Sequence, residues 1–112
     1  MAIQSSPAAH RGHAGVVFID PWHAIVARSG EAKPVVLDLE RYQETNSQFL
    51  LRVAQETTDC DRLVVMGPGA ERLAFEREYV TLYQRPERLL DDEAAADANR
   101  FDLLDRLRVL ES

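Results

Sequence analysis

Only a few residues in this chain have types and spacings suited to chemistry. Asp20, Trp22 and His23 fall together where an apolar run, Val16 to Ile19, meets Pro21. A carboxylate at the end of a strand is a fitting first ligand for a divalent metal, and a metal-dependent nuclease or phosphoesterase would use it so. That chemistry needs further carboxylates converging on the same point. Glu44, Glu56 and Asp97 are available, but acidic residues at such spacings occur in any chain this acidic. Zinc is suggested no better: His10-x-x-His13 and His23 form no complete ligand set, and Cys60, the only cysteine, has no partner at metal spacing. Asp59 and Asp61 flank that thiol and work against an activated thiolate. The plainer reading is that Asp20 caps a turn decorated by Trp22 and His23. No metal and no cofactor is implied.

A second candidate is Gly67-Pro68-Gly69, which stands between an apolar stretch and a helical one. Helix N-termini present unpaired amides and a partial positive charge, so a small anionic ligand is conceivable there. The triplet is neither a dinucleotide fingerprint nor a P-loop. Pro68 has no amide to donate, and Glu71 puts a negative charge where a phosphate would lie. A structural strand-to-helix turn is the simpler account.

The elements that hold these residues follow from periodicity. Leu63 to Met66 is a short apolar run that suits a strand buried on both faces. Gly15 to Asp20 and His23 to Arg28 read as a hairpin, and Val35 to Leu39 as a third strand after a Ser29-Gly30 turn. Thr45-x-x-Gln48 fits a capping box and starts a helix carrying Phe49, Leu50, Val53 and Ala54 to the sheet. Ala70 onward forms a second helix, Glu87 to Leu90 a short fifth strand, and Ala94 to Leu110 a third helix. The result is an α/β fold with a mixed five-stranded sheet in the ribonuclease-H-like order 3-2-1-4-5 and three helices.

The 112 residues, 46 % apolar and 29 % charged, are enough for one core. Residues 1–13 read as a flexible tail and 14–112 as one domain. No stretch resembles a signal peptide or a membrane span, so a cytoplasmic location is expected. The net charge of −6 disfavours direct nucleic-acid binding, and Arg28, Lys33 and Arg41 are read as part of a mixed solvated surface.

Val16-Val17-Phe18-Ile19-Asp20-Pro21-Trp22-His23-Ala24 resembles the opening hairpin of small bacterial proteins related to the middle domain of eukaryotic release factor one and Pelota. Asp61 to Glu71 is similar to their strand-plus-Gly-Pro-Gly segment, and Arg100 to Leu110 to their final helix. The resemblance covers most of the chain from Gly15 onward and implies a translation- or ribosome-associated role with a protein or ribosomal partner. Release factors place a Gly-Gly-Gln loop between the third strand and the first helix. Arg41 to Gln48, the matching stretch, contains no glycine. Peptide release is therefore not implied, and the resemblance points to a non-catalytic interaction module rather than an enzyme. Its contact residues would be Asp20, Trp22, His23, Gly67, Pro68 and Gly69; a homodimer is the other arrangement open to such a surface. The indole of Trp22 either stands exposed at the hairpin tip or folds back toward Leu107, and the resemblance favours exposure.

Overall fold

The computed structural model describes residues 13–112, so the expected tail apart from His13 lies outside the described residues, His10 with it. The chain runs β1 (His13–Ile19), β2 (His23–Arg28), β3 (Val35–Glu40), α1 (Asn46–Gln55), β4 (Cys60–Gly67), α2 (Gly69–Tyr83), a 3₁₀ turn (Pro86–Arg88), β5 (Leu89–Ala94) and α3 (Arg100–Glu111). Strand β1 begins at His13, opposite Cys60 of β4, one residue ahead of the expected domain start.

The five strands form one sheet in the order β3-β2-β1-β4-β5. The β1–β2 and β2–β3 pairs are antiparallel, and β4 lies parallel to both β1 and β5. This is the expected topology. Strand period divides the sheet residues between two cores. Val17, Ile19, Val26, Leu63 and Val65 meet Phe49, Val53, Phe75 and Tyr79 on the α1–α2 side. Val16, Phe18, Ile25, Ala27 and Val64 meet Leu103 and Leu107 on the α3 side. Strands covered on both faces must be apolar throughout, which is why β1 and β4 carry nearly unbroken apolar runs.

The Thr45 cap forms as expected: its hydroxyl accepts from the Gln48 amide (3.1 Å), and the Gln48 side chain accepts from the Thr45 amide (2.9 Å). Two boundaries differ from expectation in ways that have a clear cause. Strand β5 covers Leu89–Ala94 rather than 87–90, because Pro86 commits 86–88 to a 3₁₀ turn. Its acidic run is held from both faces: Arg106 pairs with Glu93 (2.8 Å) and lies 3.9 Å from Asp91, and Arg72 pairs with Asp92 (3.3 Å). Helix α3 starts at Arg100 rather than Ala94. Asn99 caps it by accepting from the amides of Phe101 and Asp102, and Asp102 accepts from the Asn99 amide in return.

Candidate functional site

Asp20, Trp22 and His23 do come together, in a tight turn from β1 to β2. The Asp20 amide donates to the His23 carbonyl (3.0 Å). One carboxylate oxygen of Asp20 accepts from the amides of both Trp22 and His23, each at 2.8 Å. The same carboxylate lies 3.0 Å from His23 Nδ1. Asp20 is thus spent on turn amides and one imidazole, the turn-capping role expected of it. The ring of His23 tilts against Phe18, 5.7 Å between centroids. Trp22 lies outside the core, 75 % exposed.

The acidic residues offered as companions for Asp20 go elsewhere. Glu44 pairs with Arg52 in the β3–α1 connection (2.9 Å). Glu56 pairs with Arg28 (3.3 Å), which lies opposite Gly15 at the far end of the sheet. Asp97 accepts from the Ala98 amide (2.9 Å). Among the described residues, no group of three His, Cys, Asp or Glu side chains could hold a metal ion.

Gly67, Pro68 and Gly69 share the sheet end with the hairpin tip. Gly67 has φ +139°, and a Cβ placed there would stand 2.2 Å from the Ile19 carbonyl oxygen. Only glycine fits so close to β1 with that backbone. The Gly67 carbonyl accepts from Arg72 Nε (2.8 Å) and from the Ala95 amide (3.2 Å), so the start of α2 and the end of β5 are both tied to it. Two clefts stand out among the described residues, and this triplet lines neither. One is lined by Leu73, Glu76, Arg77, Val80, Thr81 and Leu89 along α2; the other by Trp22, His23, Asp38, Leu39 and Glu40 at the hairpin tip.

Arg41, Tyr42 and Arg52 complete the surface around the tip; the sequence marks Arg41 only as solvated charge and gives no sign of the other two. The Arg41 amide donates to the Trp22 carbonyl (3.0 Å), and its guanidinium donates to the carbonyl of Glu44 (3.2 Å). Arg52 lies between aromatic faces, 5.7 Å from the Tyr42 centroid and 5.5 Å from that of Phe49. Its hydrogen bond to Glu44 holds that carboxyl below the usual carboxylate range. Tyr42 is exposed like Trp22. The β3–α1 connection is therefore short and fastened at several points, with two exposed aromatics beside it. Cys60 is fully buried, and desolvation pushes its thiol up to about 11.

No protein-family model matches the chain, and no curated protein sequence matches it. Solved structures do. Pelota of Archaeoglobus fulgidus superposes with a TM-score of 0.61 at 14 % identity, over 93 % of this chain and 32 % of its own. The archaeal translation termination factor aRF1 gives 0.58 at 18 %, over 85 % and 33 %. Dom34 of S. cerevisiae, a translation termination-like factor, gives 0.54 at 9 %, over 88 % and 36 %. The fold of this chain is thus one found in these factors, of whose length it spans about a third. At such identities the likeness is one of fold.

Proposed function

We propose that this chain is a translation-associated interaction module with the fold of a release-factor domain, acting through contacts made at the β1–β2 tip. The observation that carries the reading is the superposition of most of the chain on Pelota, aRF1 and Dom34, of which aRF1 is described as a translation termination factor and Dom34 as a termination-like factor. The hairpin tip supports it, since Trp22 and Tyr42 present large rings to solvent on a turn and a loop that are otherwise well fastened. Rigid exposed aromatics give contact area at low entropic cost. The glycine-free connection from Arg41 to Thr45 supports a role without peptide release, because the Arg41 and Arg52 contacts hold it in one shape. Sucrose-gradient sedimentation of the tagged protein in cell extract tests the reading. Co-migration with ribosomal particles that survives nuclease trimming of polysomes is expected; migration only at the position of free protein would refute it.

A further inference from the structure

The cleft at the hairpin tip has a composition that specifies its occupant. Among the described residues β3 is an edge strand paired only with β2, so one side of its backbone ladder is open except at the Glu40 carbonyl, which accepts from the Arg52 guanidinium. Within it, Leu37 and Leu39 turn toward the α1–α2 core. Val36 packs at the margin of the α3-side core, so the two-residue period places Asp38 and Glu40 on that same side. Helix α3 packs chiefly on β1 and β2, and both carboxylates are exposed. They lie opposite Ile25 and His23 in the ladder, with Trp22 next along the chain. Among the described residues neither carboxylate takes part in an ion pair. The nearby guanidinium of Arg41 is turned to the carbonyls of Pro21 and Glu44 instead.

We propose that this strip of sheet docks an extended, basic segment of a partner polypeptide, seating an arginine or lysine side chain between the Trp22 indole and the carboxylates of Asp38 and Glu40. An indole face and carboxylates about two residues apart on one strand together favour a cation with an apolar stem. Ahead of the Glu40 carbonyl, which Arg52 occupies, the open edge of β3 supplies backbone groups for a segment in extended form. Charge excludes the other occupants. A phosphate backbone would meet two uncompensated carboxylates, and a second copy of this chain would bring like charges face to face. The inference rests on the reading of the hairpin tip as a contact surface and names the chemistry of what it contacts.

Trp22 is the only tryptophan, so its emission reports the site directly. Three probes are titrated: a short alternating Arg-Val peptide, the same peptide with citrulline for arginine, and a uridine oligonucleotide of similar length. Saturable change of Trp22 emission with the Arg peptide, weakened by salt, is expected, with the citrulline peptide binding about tenfold less tightly. Asp38→Asn combined with Glu40→Gln lowers affinity for the Arg peptide by a similar factor while leaving the melting temperature in place. Equal binding of the citrulline peptide, full affinity in the double variant, response to the oligonucleotide alone, or no response to the Arg peptide at millimolar concentration would each overturn the proposal. Loss of ribosomal co-migration with peptide binding intact would fault the translation reading alone. Co-migration without peptide binding would fault this inference alone.

Discussion

Replacing Gly67 by alanine tests whether the Gly-Pro-Gly segment is a joint or a ligand site. The added Cβ would lie 2.2 Å from the Ile19 oxygen and 3.2 Å from its carbonyl carbon, both backbone atoms of the central strand. Neither can swing aside as a side chain would, so β4 must draw away from β1 just where Phe18 pairs with Met66. A backbone conformation of this kind costs a residue with a Cβ about 1–3 kcal/mol, and forcing a methyl into a packed contact about 1–3 more. The expected loss is about 2–6 kcal/mol, or a drop in melting temperature of at least about 8 °C for a domain of this size. Gly69→Ala is the control: its Cβ would find nothing closer than Arg72 at 3.7 Å, at the first position of α2. That variant is expected within about 0.5 kcal/mol of wild type, or slightly more stable. Paired thermal and urea melts followed by far-UV circular dichroism read both. A Gly67→Ala midpoint within about 2 °C of wild type would refute the close approach, and a large loss in Gly69→Ala alone would point to the helix start instead.

Leu63→Ala and Leu107→Ala each remove a fully packed side chain, one from each face of the sheet. Each is expected to cost about 2–5 kcal/mol in urea melts, and the two costs should add in the double variant. Cys60 has its thiol raised from 9.0 to about 11, so the folded state holds that proton where the unfolded chain loses it. Its contribution to stability is complete below about pH 9 and is lost as pH rises through about 11; wild type then loses about 2–3 kcal/mol more than Cys60→Ala over that window. Native protein is accordingly expected to react with a disulfide reagent at pH 8 only as fast as it unfolds. Arg106→Ala leaves Asp91 and Glu93 without their shared cation, and faster amide exchange confined to β5 is expected, with a global cost of about 0.5–1.5 kcal/mol.

The sheet was legible in the sequence because its inner strands are covered on both faces. Val16 to Ile19 and Leu63 to Met66 have no polar residue to blur the signal, and Thr45 with Gln48 marks α1 unambiguously. The tight turn at Asp20 was legible for a similar reason, since a short acceptor beside Pro21 has few other uses. The third helix was misplaced at its start because Ala94 to Ala96 have high helix propensity, while the decisive cap lies at Asn99, three residues further on. β5 was hard to see because Asp91, Asp92 and Glu93 look like solvent-facing loop; the arginines that make them tolerable, Arg72 and Arg106, are distant in sequence. Arg41 was read as solvated charge, and Arg52 was missed, for the same cause. A surface arginine reads as solvated charge until the fold shows which carbonyl or ring it meets. The exposure of Trp22 depended on whether α3 reached the tip, which is a matter of packing rather than pattern.

Site-specific photocrosslinking tests the translation-associated role and its contact surface together. A benzophenone amino acid is placed at position 22 in one variant and, as a reference, at the position of Leu82, exposed on α2 away from the tip. Each is irradiated with purified ribosomal particles and with an equal mass of bovine albumin. Covalent adducts to a defined ribosomal component from position 22, weak or absent from position 82 and absent with albumin, are expected. No adduct from position 22, or equal labelling from both positions, would contradict a contact surface at the hairpin tip.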